Sequence, residues 1–477
     1  MSVNVDRLLK LFALAVIVLL VITGVYAARG LHSDGPAWLI EMLPRGGFFI
    51  FDSHRAYAQA LVQAPVALAI WLGILDLNTL IRVHSFGFVG IPVVFWLGAL
   101  ALQFGNRLFW FFLMAFTVSY LRSNFFAAGE FSLAYGITAF CASVLLRQQL
   151  GFFLAVIMSL SAVALTHSYE ASLFLGAFLA ALSVIRLWLV PTDTQGTKIM
   201  IGIAFVIFLI AVYVGVRSAF FQRSYDGQSV ANLGAITEIH LLYLLLMPVL
   251  LVSLYTEYGR EFHKWLCASV VLLAALYLLY AFRWDHRNIS YGYYSYAYRV
   301  LCCFLLLGVL SLASVWRFWP QLFKSNSCSA SSSRYLSLGS FVFFMSMAWL
   351  MLYHTYGYYR WAQRFEQAAI SIKVHTPIDK TKINTSHGFN HGYNWMWGNP
   401  FTSILLRGNA EAIVLNNSTF IGSEPSQYDK LEVGTSLTSV NQSGVEVYPL
   451  SQFQKRGLLF PVLSDVSSSR ISKETVK

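Results

Sequence analysis

Between residues 29 and 57 the chain reads RGLHSDGPAWLIEMLPRGGFFIFDSHRAY, which gathers Asp34, Glu41, Asp52, His54 and Arg55 into one short segment. Carboxylates, an imidazole and a guanidinium at this density can accept a proton, hold an anion, or do both. Groups of the same kinds return downstream. They are Glu130 after Gly129, the turn Thr166-His167-Ser168-Tyr169-Glu170, and the loop Arg283-Trp284-Asp285-His286-Arg287, which leads into Tyr291, Tyr293, Tyr294 and Tyr296. Transfer of a sugar from a phosphate carrier would use such a set. A carboxylate takes the acceptor's hydroxyl proton, arginine forks grip phosphate oxygens, and aromatic faces lie against a sugar ring. Asp34 and Asp52 are the candidate bases. Glu41, His54, Arg55, Glu130, His167, Glu170, Arg283, Asp285, His286 and Arg287 are the candidate substrate contacts. The plainer reading of any one of them is a helix end capped in headgroup water, and of the tyrosine run an interfacial belt. Their gathering at the ends of apolar runs argues for function, because ionisable groups are costly there.

The elements that must position these residues are membrane spans. The chain has 477 residues, of which 57% are hydrophobic and 12% charged, with a mean hydropathy of +0.60. Soluble domains carry about 25% charged residues. In lipid, backbone groups must be satisfied within the segment, so the spans are helices. Twelve apolar runs are visible, among them 11–28, 58–77, 87–104 and 107–121, and the last is 336–355. Beyond Tyr356 the chain turns polar, with strand-like pieces at Ile370–Val374 and Ala412–Leu415. The expected fold is an all-α polytopic membrane domain of 11–13 transmembrane helices over residues 1–358. Its first extracytoplasmic loop is 29–57, and a small C-terminal α/β soluble domain covers 359–477.

Basic residues in short loops set the orientation. Arg7 and Lys10 hold the N-terminus in the cytoplasm, and Arg260, Lys264, Arg317, Lys324 and Arg334 mark later cytoplasmic loops. The first loop, Glu130, the 166–170 turn, the 283–287 loop and the C-terminal domain then share the opposite face. Twelve spans would return the C-terminus to the cytoplasm, so parity demands eleven or thirteen, with the short runs between 87 and 121 as the suspects. The net charge of +11 is read as cytoplasmic loop charge and not as nucleic-acid binding. Of the five cysteines, four lie in apolar runs and Cys328 in a Ser-rich loop, so no disulfide or zinc pattern emerges. The N-terminal run is read as an uncleaved first span.

One span, an acidic first loop, about a dozen spans and a C-terminal soluble region resemble the GT-C fold glycosyltransferases. The position of Ser33-Asp34-Gly35 shortly after the first span matches the family's catalytic aspartate, although Gly35 stands where a second acidic residue is usual. Asp52-Ser53-His54-Arg55 is the next candidate. With the segment Tyr393-Asn-Trp-Met-Trp-Gly-Asn-Pro400, the layout is similar to the bacterial type IV pilin arabinosyltransferases of that class. The resemblance implies a polyprenyl-phosphate-linked sugar as donor, arabinofuranose as the sugar, and an acceptor protein such as pilin, or a glycan. It also implies a bacterial inner membrane with the site facing the periplasm. No cofactor is read from the sequence, and a divalent metal remains open. His387 and His391 have ligand spacing, but no third ligand accompanies them. A lipid-linked oligosaccharide flippase and an O-antigen polymerase or ligase are the alternatives. The first lacks the mid-span charges and internal repeats such proteins show, and the second lacks a large late loop.

Overall fold

The computed structural model describes residues 3–32, 35–74, 76–120, 129–218, 296–319 and 330–371, residues 402 and 405, and the segments 436–441 and 444–449. Its architecture is a helical bundle. Helix α1 (Val3–Tyr26) is strongly apolar beyond Lys10, and that buried lysine near its start closes off one end of the bundle. The Lys10 ammonium donates to the Phe104 and Asn106 carbonyls at 3.0 and 3.2 Å and pairs with Asp6 at 2.8 Å, while Asp6 accepts from the Trp110 indole at 3.0 Å. Ala28, in the left-handed region at φ 54°, breaks the chain away from α1.

The first loop is folded. It holds α2 (Gly35–Arg45) and a 3-10 turn (Ser53–Arg55) and leads into α3 (Ala56–Trp71). Helix α4 (Leu77–Leu102) follows, started by Asp76, whose carboxylate accepts from the Thr79 N–H at 2.8 Å and hydroxyl at 2.6 Å. Those bonds hold the exposed Asp76 carboxyl below the usual carboxylate range. The bundle continues through α5 (Leu108–Ser119), α6 (Gly129–Leu145), α7 (Phe152–Thr166), α8 (Ser172–Leu189) and α9 (Gln195–Val216). It resumes with α10 (Tyr296–Phe318) and α11 (Ala330–Ser371). Every residue of α5 is buried, as expected for a helix that is apolar all round. Beyond α11 the strands β1 (Ser436–Asn441) and β2 (Gly444–Pro449) form an antiparallel hairpin.

Among the described residues, five helices are long and apolar enough to cross a membrane: α1, α4, α8, α9 and the 337–363 portion of α11. Shorter apolar helices, including α5, α6 and α7, pack among them in one core. The chain therefore has the character of a multi-pass helical membrane protein. A second, smaller core joins α2, the end of α3 and the start of α4 through Leu39, Ile40, Leu43, Val66 and Leu80, and Leu405 from the C-terminal region enters it. Backbones touch here. A Cβ at Gly87 of α4 would run into the Val62 carbonyl of α3, so only glycine fits.

Three expectations change. The apolar run 58–77 is not a span of its own: α3 ends at Trp71 after 16 residues, and the chain turns at Gly73 (φ 78°) before Asp76. The run 87–104 lies almost wholly within α4, a candidate span that begins earlier, at Leu77. At the other end, α11 runs unbroken through the expected boundary at 358/359 to Ser371, taking in Ile370 and Ser371 of the first strand-like piece. The α/β domain finds no support: beyond α11 the described elements amount to one hairpin, without a helical layer.

The two ends of the bundle have different chemistry. At the end away from the first loop, the fully buried Arg186 of α8 forks onto Asp193 at 2.8 and 2.9 Å and donates to the Leu145 and Arg147 carbonyls. Arg317 of α10 donates to the neighbouring Leu146 carbonyl at 3.0 Å. These contacts fasten the α6–α7 and α8–α9 turns to each other and to α10. The other end carries the candidate site.

Candidate functional site

Asp52 organises the segment leading into α3. Its side chain accepts from the His54 N–H at 2.8 Å, which winds Ser53–Arg55 into the 3-10 turn and delivers Arg55 to the helix start. The Arg55 guanidinium then bridges two distant elements. Nε and Nη2 donate to one Glu170 oxygen at 2.9 and 2.8 Å, and Nη1 donates to Glu130 at 3.0 Å. The same group lies 5.3 Å from the Tyr169 ring centroid and 3.7 Å from Asp52. One turn along α3, Gln59 donates to the other Glu130 oxygen at 2.9 Å and accepts from the backbone N–H groups of Phe51 and Asp52. Gln63 repeats the device, accepting from the Phe49 N–H at 2.8 Å and donating to its carbonyl at 2.6 Å.

His167 completes this clamp through its backbone. Its carbonyl accepts from the Tyr57 and Ala58 N–H groups at 3.1 and 3.3 Å, and its ring meets Tyr57 edge-on at 5.0 Å. The first loop is thus fixed to the start of α6 and to the α7–α8 turn. Glu130 sits in the first turn of α6, where a carboxylate complements the helix dipole. Of the three carboxylates around Arg55, Asp52 is the most open, with 25% of its side chain exposed against 4% for Glu130 and 13% for Glu170. It is therefore the one a hydroxyl group could most easily reach. Arg55 stands differently from the phosphate ligand expected of it. Two glutamates occupy its fork, and a phosphate would have to displace one of them.

A second polar group lies behind the loop, around the buried Arg29. Arg29 donates to the Thr355 hydroxyl at 3.3 Å, and Tyr358 of the same helix, α11, donates to the Ala28 carbonyl at 3.5 Å. The His32 ring meets Tyr358 edge-on at 5.8 Å. Burial, with the Arg29 charge beside it, pushes His32 down to about 3, so the imidazole is neutral near pH 7. Gly30 donates to the Ser85 hydroxyl at 3.1 Å, and a ring nitrogen of His84 lies 2.9 Å from the Gly35 carbonyl. The described residues on either side of Asp34 are anchored, His32 against Tyr358 and Gly35 against His84.

Of the expected site residues, Asp52, His54, Arg55, Glu130, His167 and Glu170 come together, His54 through its backbone. Glu41 is buried in α2 and pairs with Arg45 at 3.1 Å, apart from that cluster. Asp34, Arg283, Asp285, His286 and Arg287 lie outside the described residues, as do His387 and His391. Gln59, Gln63, Arg29, Thr355 and Tyr358 were missed. The glutamines were legible as polar positions four apart in an apolar run, whereas Arg29 and Thr355 are 326 positions apart and nothing local joins them. Among the described residues no three His, Cys, Asp or Glu side chains gather as a metal site. No family model, curated protein or solved structure matches the chain.

Proposed function

We propose that this chain is a membrane glycosyltransferase that moves a sugar from a polyprenyl-phosphate carrier to an acceptor at the first-loop face, with a first-loop aspartate as base. The observation that supports this best is the clamp. Arg55, Gln59 and His167 fasten the start of α3 and the segment before it to α6 and to the α7–α8 turn, and so hold Asp52 at the bundle end. Rigid support of that kind suits a group that must meet a hydroxyl within hydrogen-bond reach. Asp34 is the first choice of base and Asp52 the second. Arg283 and Arg287 are the phosphate ligands to test, since Arg55 serves the clamp. The acceptor would be a periplasmic protein such as pilin, or a glycan, at a bacterial inner membrane, and arabinofuranose is the sugar to try first. Part of the segment beyond α11 would help to seat the acceptor.

The test is transfer by full-length protein in proteoliposomes, using labelled polyprenyl-phosphate sugars and a pilin or glycan acceptor. Wild-type protein should release polyprenyl phosphate, and Asp34→Asn should lower the rate by at least about 100-fold. Near wild-type transfer by Asp34→Asn, with loss on Asp52→Asn, would move the base to Asp52. Absence of transfer from every polyprenyl-phosphate sugar by folded wild-type protein would end the reading.

A further inference from the structure

We infer that the outer side of the α1–α4 pair seats one anionic phospholipid of the surrounding bilayer, its acyl chain in an apolar groove and its phosphate on Arg82. This rests on the chain lying in a membrane and not on the transferase reading. The groove has a volume of about 490 Å³, and its walls are the β-branched row of Val18, Val21, Ile22 and Val25 on α1 and Phe86 and Val94 on α4. Ile22 and Val94 are both more than half exposed, so in a bilayer lipid must cover them. Gly90 forms part of the groove floor, where a Cβ would strike the Phe86 ring.

Arg82 stands at the groove's rim, its guanidinium carbon 5.8 Å from the Tyr26 ring centroid. Its charge also helps to hold the Asp76 carboxyl below the usual carboxylate range. The nearby carboxylate of Asp76 is occupied by Thr79. Tyr26 also meets Tyr359 at 5.8 Å, and Tyr356 is exposed one turn before it, so the rim carries the aromatic girdle that marks headgroup depth. From Arg82 to Leu97 the groove follows α4 for roughly 22 Å, enough to take a chain through one leaflet of a ~30 Å core. A guanidinium fork matches a phosphodiester, and the groove matches its tail. The reacting carrier is a poorer occupant. The side of α4 that meets the first loop carries Ile81, His84 and Ser85, and Arg82 points away from it.

The experiment is native mass spectrometry of the full chain in detergent, titrated with phosphatidylglycerol, with phosphatidylcholine of the same chains, with polyprenyl phosphate and with inorganic phosphate. Phosphatidylglycerol should bind about fivefold more tightly than phosphatidylcholine, as one basic side chain implies. Arg82→Gln should erase that preference while leaving chain binding. Ile22→Trp, which fills the groove, should remove both lipids. If Ile22→Trp fails to fold, the exposed Arg82→Gln change still decides. Equal binding of the two phospholipids, or a preference surviving Arg82→Gln, would overturn the proposal. Polyprenyl phosphate bound tenfold more tightly than phosphatidylglycerol would give the groove to the carrier instead. Displacement of phosphatidylglycerol by inorganic phosphate would show that the groove holds no chain.

Discussion

Arg55 matters more as a clamp than as a free cation, because two carboxylates of low exposure depend on it. Removing one partner of such a group leaves the others as poorly compensated charges. Arg55→Ala should therefore lower the stability of the detergent-solubilised protein by about 3 kcal/mol, read as a drop in melting temperature. Adding Glu170→Gln should recover part of that loss, because the stranded charge goes with it. No recovery would mean that the contact is incidental. His32 makes a pH prediction. Its folded value near 3 lies below the unfolded 6.5, so the unfolded chain binds more protons between the two. Stability is fully present above pH 6.5 and is lost as pH falls towards 3, by about 2 kcal/mol at pH 5. Replacing His32 with Asn should flatten the melting-temperature profile over that range, and an unchanged slope would assign the acid sensitivity elsewhere. The acidic and basic residues of the clamp were visible as candidates because they are rare in so apolar a chain. Arg55's partners were not, since pairing across 75 and 115 positions is a product of packing.

At the scale of elements, α3 shows where hydropathy misleads. Its run is apolar enough to read as a span, yet it buries Gln59 and Gln63 against the loop backbone and exposes Leu68 and Trp71. A helix that ties down a loop needs polar side chains on its inner side, and that pattern, not mean hydropathy, separates it from a spanning helix. Gln63→Leu should release the Phe49 backbone and lower stability by about 1–3 kcal/mol, the cost of buried groups left without partners. A membrane-impermeant maleimide offered from the first-loop side should label Leu72→Cys quickly. Labelling only after permeabilisation would return the segment to the bilayer. Helix α11 misleads in the opposite sense. The composition turns polar after Tyr356, while the helix itself continues to Ser371. A shift in composition was legible; that it left secondary structure untouched was not.

For the whole molecule, five of the described helices are long and apolar enough to cross a membrane, and α3, α5, α6 and α7 are shorter. The packing orders the ends of the bundle without counting spans. Lys10, near the start of α1, binds Phe104 and Asn106 at one end of the bundle, while the far end of α1 meets α11 through Arg29–Thr355 and Tyr358–Ala28. The chain after α11 therefore emerges opposite its N-terminus, beside the first loop, where Leu405 joins Leu39 and Ile40 in the second core. A reporter that folds only in the cytoplasm should be active at the N-terminus and silent after Ser371 and after Lys477. A reporter that matures only outside should give the reverse. If both ends report from one compartment, α1 and α11 cannot leave the bundle together, and the Arg29–Thr355 contact must be wrong. In that event the first loop would lose its C-terminal neighbour. The clamp built by Arg55 would stand, because its partners lie wholly within residues 52–170.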